Sequence, residues 1–343
     1  MNIAFLVPHL KNSGGNRILF SYANGLIELG HTVTMYTRSK NRVRRTIANF
    51  LQIGKPSWFP LQAKVVRVGE WKSGKIGFYD HIISSGYREA IALMSWDGSC
   101  GVGWCLIQHD EGLYHGPRDV FDTVLKSNLH KIVVSSWLAD VVRERAHQES
   151  YLLINTFDRS QFFSSEKPIH DTIRILILDH TYEWKGTNEA ISMVRTLQKK
   201  YPNIRLVGMG RRRDDVADLY DEYHFDPPQS QIQSVYAGAD IYLCTSWDEG
   251  FGLPSLEAMA CGTAVVTYDN GGSRDFAFDG KTAFVAPHKD QPALLERLEM
   301  AVTHPERRTE IAEQGRLFVM RMPTWKEQTQ HLVGLLESTK TNQ

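Results

Sequence analysis

The chain has 343 residues, 42% of them hydrophobic and 23% charged, and its 39 Lys plus Arg balance 39 Asp plus Glu for a formal net charge of zero. That length exceeds one ordinary core and suits two domains of about 150–180 residues each, and the charge balance gives no bulk attraction to nucleic acid. Cys100, Cys105, Cys244 and Cys261 lack CxxC spacing, which favours buried thiols in a reducing cytoplasm over zinc or disulfides, and no apolar run approaches the roughly 20 residues of a membrane span.

In chain order, Ile3–Val7 has no basic n-region or cleavage site and stops at Pro8, so it reads as a first strand and not a signal peptide. Asn12-Ser13-Gly14-Gly15-Asn16-Arg17 follows and opens a helix near Gly15–Leu29. Amides at such a helix start favour an anion, and paired glycines let the backbone approach a ligand. Further strands are predicted over Thr32–Tyr36, Val65–Val68, His81–Ser84, Trp104–Gln108, Lys131–Val134 and Leu152–Ile154, with a helix near Trp137–His147. Arg38, Lys40, Arg42, Arg44 and Arg45 precede Ile47, Phe50, Leu51, Ile53, Trp58 and Phe59. Three readings fit that run: a basic amphipathic segment on anionic lipid, a solvated helix face with its other side packed on the core, or an acceptor-binding loop.

From Asn155 through Thr172 the rhythm breaks, with Pro168 inside, as an interdomain linker does. A second series follows over Ile173–Leu178, Ile204–Val207, Ile241–Cys244, Ala264–Thr267 and Ala283–Val285. Strand–helix alternation argues for parallel βαβ units, so the fold class is α/β: two Rossmann-like domains facing across a cleft. After Gln291 the chain is helical in character, with Leu294, Leu295 and Leu298 in register, then Ile311–Val319, then Trp325–Leu336 beyond Pro323.

The polar chemistry concentrates between Ser246 and Gly262. Glu249 and Glu257 stand eight residues apart, one before the turn Gly250-Phe251-Gly252 and one within the helix that Pro254 is suited to open. In open α/β sheets ligands bind at the carboxyl ends of strands, where this loop falls. In Asp179-His180-Thr181-Tyr182-Glu183-Trp184-Lys185-Gly186, again between strand and helix, the lysine can meet a pyrophosphate as a point charge. Gly271-Gly272-Ser273 offers another amide-rich turn, whereas Gly208-Met209-Gly210 and Phe225-Asp226-Pro227-Pro228 carry no base-reading signature.

Glu249-Gly250-Phe251-Gly252-Leu253-Pro254, continued by Leu256-Glu257-Ala258-Met259-Ala260-Cys261-Gly262, closely resembles the donor-binding motif of retaining, GT-B-fold glycosyltransferases of the family 4 type, also grouped as glycosyl transferases group 1. The resemblance implies a GT-B fold with an acceptor domain over residues 1–160, completed by a crossover helix within 321–343, and a nucleotide-sugar domain over 161–320. It implies that Glu249 contacts the transferred sugar and that Glu257 holds the ribose hydroxyls. Lys185-Gly186 matches the family's Lys-Gly pair at the diphosphate, joined there by Gly15, His180, Gly252 and Leu253, while His109, on the loop His109-Asp110-Glu111-Gly112, matches the residue facing the transferred sugar. Gly14, Arg17, Gly210, Arg211 and Phe251 are further expected contacts. The chain departs from the pattern at His180, where the family commonly has an arginine; phosphate charge then rests on Lys185 with Arg17 or Arg211, or on backbone dipoles.

The implied function is transfer of a hexose-type sugar from a nucleoside diphosphate to a glycan, lipid-linked or small-molecule acceptor. No cofactor and no metal are expected, since the chain has no Asp-x-Asp, and neither is nucleic acid; a cytoplasmic location with peripheral contact at the membrane face is. A dinucleotide oxidoreductase fails on Gly101-Val102-Gly103, which lacks the third glycine of a G-x-G-x-x-G fingerprint. A nucleotide-sugar epimerase or a catalytically silent sugar-nucleotide-binding subunit stays open as the alternative.

Overall fold

The computed structural model describes the chain apart from Asp97, Ser99, residues 166–170, 213–215 and 341–343. It forms two units, Met1–Thr156 with Pro323–Gln343, and Phe157–Met322. Pro168 of the predicted linker lies outside the described residues.

The first unit is built on β1 (Asn2–Val7), β2 (Thr32–Arg38), β3 (Lys64–Val68), β4 (His81–Ser84), β5 (Val102–Ile107), β6 (His130–Val133) and β7 (Tyr151–Leu152). They form one parallel sheet in the order β3-β2-β1-β4-β5-β6-β7. A parallel sheet is covered on both faces, so its strands need continuous apolar runs; Ile3 through Val7 are all at most 1% exposed. The covering helices are α1 (Gly14–Glu28), α2 (Arg42–Leu51), α3 (Ser73–Ile76), α4 (Tyr87–Met94), α5 (Glu111–Tyr114), α6 (Arg118–Leu125) and α7 (Ser136–Ala146). β5 starts two residues before the predicted strand, because Val102 and Gly103 already pair with His81 and Ile82.

The second unit has β8 (Ile173–Asp179), β9 (Ile204–Gly210), β10 (Glu222–Phe225), β11 (Ile241–Cys244), β12 (Ala264–Tyr268) and β13 (Phe284–Ala286), parallel in the order β10-β9-β8-β11-β12-β13. Its helices are α8 (Thr187–Lys200), α9 (Gln229–Ala237), α10 (Leu253–Ala260), α11 (Gln291–Thr303) and α12 (Pro305–Val319). β10 is absent from the sequence prediction: as an edge strand paired only with β9 it tolerates Glu222 and His224, which hide its periodicity.

The last helix, α13 (Trp325–Lys340), returns to the first unit and packs on α1. Trp325 meets the Tyr22 ring edge-on at 5.3 Å, and a Cβ on Gly25 would stand 2.5 Å from Thr329 Oγ1, so glycine sets how closely the two helices approach. The chain path is thus two Rossmann-like units with a C-terminal crossover, the α/β class read from sequence.

In both sheets strand order reverses beside the first strand, between β1 and β4 and between β8 and β11. Ligands of open α/β sheets bind at the carboxyl ends of strands at such switch points.

Candidate functional site

In the second unit the loops after β8 and β11 are laced together. Thr245 Oγ1 donates toward Lys185 O (3.1 Å) and Gly186 O (2.9 Å), and Trp247 N donates to Trp184 O at 2.8 Å. Gly186 has φ +66°, and a Cβ there would stand 2.5 Å from Thr245 O, so both conformation and space require glycine. This lacing brings together two residues 64 positions apart: Lys185 Nζ donates to Glu249 Oε1 at 2.5 Å, with side chains 26% and 12% exposed. Burial alone lowers the affinity of the Lys185 ammonium for its proton, but the Glu249 carboxylate outweighs it and the net shift is upward. Lys185 is therefore a fixed cation.

Glu249 is held from the backbone outward. Its N–H donates to Asn270 O at 2.9 Å, it bridges Gly271, and a Cβ on Gly272 would stand 2.5 Å from Glu249 O and Phe251 N. Phe251, expected as a ligand contact, turns its ring inward at 3% exposure against Phe276, where it anchors the loop. Gly252 (φ +90°) caps α10, which Leu253 and Pro254 begin, so the Gly252 and Leu253 amides lie at a helix start beside Glu249. The Ser255 hydroxyl, fully buried in the first turn, has no hydrogen-bond partner among the described residues. Further along α10, Glu257 Oε2 accepts from the Tyr236 hydroxyl at 3.3 Å.

His180, where the resembled family commonly has an arginine, is held toward its neutral form. Burial and then Lys185 lower its pKa, and its Nδ1 accepts the Tyr182 N–H at 3.1 Å, which leaves the proton of the neutral ring on Nε2. Arg211, expected beside the phosphate, is instead in a half-exposed pair with Asp226 at 2.8 Å. The inward-turned cation is its neighbour Arg212, which the sequence reading missed. Arg212 Nε donates to Asp179 Oδ2 at 2.8 Å, and Asp179, its side chain fully buried, also accepts from Tyr220 and Tyr223. One guanidinium nitrogen, Nη2, is buried without a partner among the described residues. Gly210 ends β9 against this group, where a Cβ would stand 2.6 Å from Asp179 O. Arg212, His180, Gly186, Thr187, Glu189 and Trp247 line a cavity of about 450 Å³.

In the first unit the Gly14-Gly15 turn opens α1, with Ser13 Oγ accepting from Asn16 N at 3.3 Å. The buried Asn16 amide ties the turn down through His9 O and Lys11 O. A Cβ on Gly15 would stand 3.4 Å from Gln108 Nε2, so this turn lies against the residue preceding His109. Arg17 sits in the first turn of α1, its N–H bonded to Ser13 O. Both His109 ring nitrogens are buried with no partner among the described residues, and the ring lies 5.5 Å from His115. A larger depression of about 770 Å³, lined by Trp96, Lys126 and His130, lies at the amino ends of β5 and β6. That is the edge where parallel sheets do not seat ligands.

Residues 158–318 match the family profile described as "Glycosyl transferases group 1". A stretch of 152 residues, 42% of this chain, is 25% identical to an uncharacterized glycosyltransferase of Haemophilus influenzae and covers 43% of that protein. Another of 187 residues, half of this chain, is 27% identical to a D-inositol 3-phosphate glycosyltransferase of Corynebacterium kroppenstedtii and covers 41% of it. The chain thus matches less than half the length of each curated relative. Over its full length it is similar to the sucrose-phosphate synthase structure from Thermosynechococcus elongatus (TM-score 0.80, 15% identity, all of both chains). It is also similar to Anabaena HepE in complex with UDP-glucose (TM-score 0.77, 15% identity, 98% of this chain and all of that one). At those identities the likeness concerns the fold, which is GT-B.

Proposed function

We propose that the chain, whose residues 158–318 match the glycosyl transferases group 1 profile, is a retaining glycosyltransferase moving a hexose from a nucleoside diphosphate to a hydroxyl-bearing acceptor. The observation that carries this reading is the Lys185–Glu249 pair at the β8/β11 switch point, beside the amides that open α10. One loop system then offers a cation for the diphosphate, a carboxylate for the sugar and unsatisfied amides for an oxyanion. Glu257 holds the ribose hydroxyls. Arg212 supplies the second positive charge that His180 does not.

In the retaining step the acceptor oxygen attacks the anomeric carbon from the side on which the diphosphate departs. The sugar–phosphate bond breaks as the new glycosidic bond forms, the acceptor proton passes to the departing phosphate oxygen, and no protein nucleophile is needed. With charge met by Lys185, Arg212 and backbone amides, transfer is metal-independent and persists in excess chelator; a strict need for added Mg²⁺ or Mn²⁺ would refute that point.

The test is a thermal-shift screen over UDP, GDP, ADP and dTDP, followed by incubation with the matching hexose donors. UDP-glucose is the first probe, since it is the ligand in the HepE structure. Release of free nucleoside diphosphate supports the proposal. Conversion of the donor to an epimer without release, or binding with no turnover in the presence of hydroxyl acceptors, refutes it. Arg212→Ala is expected to weaken diphosphate binding about tenfold or more, the scale of a charge-assisted hydrogen bond; unchanged affinity removes Arg212 from the site.

A further inference from the structure

Helix α2 faces the wrong way for an ordinary surface helix. Its inward side is polar: Asn49 Oδ1 accepts from Arg67 N at 2.8 Å, Asn49 Nδ2 donates to Arg67 O at 2.9 Å, and Arg45 Nη1 donates to Ser39 O at 2.9 Å. No residue of the helix is buried. At 3.6 residues per turn Val43, Ile47, Phe50 and Leu51 share one stripe, on the side opposite Arg45, Ala48 and Asn49. That stripe is in solvent: Val43 is 67% exposed, Ile47 48%, Phe50 84% and Leu51 56%, and Ile53 just beyond the helix is 51% exposed. Surface helices normally turn the apolar stripe to the core, and a contiguous exposed patch of large side chains marks a docking surface.

Charge identifies the partner. Between Arg38 and Gly69 there are eight Lys or Arg, five of them by Arg45, and no Asp or Glu, in a chain whose net charge is zero. Pairing two copies through this face would bring two such cationic segments together. An anionic bilayer matches both features: headgroup charge meets the arginines flanking the stripe, and the acyl boundary receives the apolar side chains. We propose that α2 docks flat on an anionic lipid surface. The helix follows the carboxyl end of β2, at the edge of the parallel sheet from which the Gly14-Gly15 turn and the His109 loop also emerge. This proposal is independent of the sugar-transfer reading.

The experiment is flotation of the full chain with vesicles of phosphatidylcholine mixed with phosphatidylglycerol, and with phosphatidylcholine alone. The expected result is binding to the mixed vesicles only, falling steeply as salt rises. Arg42→Glu and Arg44→Glu should each weaken binding by at least about fivefold, the effect of one interfacial charge, and Phe50→Asp should weaken it on the same vesicles. All four native cysteines are buried, so Ile47→Cys can carry an environment-sensitive fluorophore whose emission shifts to the blue on insertion. The altered side chains are exposed, and an unchanged near-UV circular dichroism spectrum confirms that the fold is kept. Absence of flotation at low salt, equal binding to neutral vesicles, or insensitivity to these substitutions overturns the proposal. So does a dimer in sedimentation equilibrium that Phe50→Asp dissociates, because α2 is then a protein interface.

Discussion

Lys185 and Glu249 are bonded to each other at 2.5 Å, and this changes what their substitution should do. Lys185→Ala removes the cation proposed to meet the diphosphate and leaves unpaired a carboxylate that is 12% exposed. The expected loss of nucleoside diphosphate affinity is therefore at least the 1.5–3 kcal/mol, roughly 10- to 100-fold, of a charged hydrogen bond. Glu249→Ala instead frees Lys185, so nucleotide affinity should hold or tighten, while kcat falls by roughly 10²–10³ as one preorganised electrostatic group is lost from the reacting sugar. The double variant should bind nucleotide better than Lys185→Ala alone, since no carboxylate is left to repel the ligand. Glu257→Ala should raise the donor KM and weaken free nucleotide alike, because the ribose that Glu257 is proposed to hold is the same in ground and transition states. Calorimetry on the four proteins, with kcat measured alongside, decides it: equal affinity losses for Glu249→Ala and Glu257→Ala would overturn these roles.

Among the elements, α5 carries a titration that the sequence does not announce. Burial pushes the Glu111 carboxyl up from 4.5 to about 7; the Tyr87 N–H, bonded to Oε1 at 3.1 Å, opposes this, and Glu89 adds to it. A raised folded-state pKa favours the fold fully below about 4.5, and that contribution is lost as pH rises through about 7, by about 3 kcal/mol at most. Thermal unfolding should thus show the first unit losing stability from pH 5 to 8 and a flatter profile in Glu111→Gln; identical profiles would refute the assignment. What the sequence disclosed at this scale follows from burial. Ile3–Val7 and Ile241–Cys244 are apolar throughout because both sheet faces are covered, and the two glutamates stand in a motif whose spacing is set by one turn and one helix. β10 escaped notice because an edge strand need not be apolar. Arg212 escaped because the run Arg211-Arg212-Arg213 does not say which side chain turns to the buried Asp179. The orientation of α2 escaped because the spacing Val43, Ile47, Phe50 is the same whether the stripe meets core or solvent.

At the scale of the whole molecule the two units differ in continuity. The second is one stretch, Phe157–Met322, whereas the first needs Pro323–Gln343 to complete it. Within the first, α13 supplies Trp325 against Tyr22, and Leu332 and Leu336, at most 2% exposed. A fragment ending at Thr156 would expose that face of α1, including Tyr22, and each large apolar side chain left uncovered forfeits about 1.5–3 kcal/mol. Against a typical total of about 5–15 kcal/mol for a domain, such a fragment should fail to fold cooperatively. Fragment 157–322 should fold alone. It holds Lys185, Arg212, Gly252, Leu253 and Glu257, the second-unit residues of the proposed donor site, so its nucleoside diphosphate affinity should stay within about tenfold of the full chain, since no charged group of that set is lost. Calorimetry and circular dichroism on the two fragments and the full chain test this together. A loss of affinity beyond about a hundredfold in a folded 157–322 would overturn the assignment of the diphosphate charge to Lys185 and Arg212, since removing one ionic partner costs only about 1.5–3 kcal/mol.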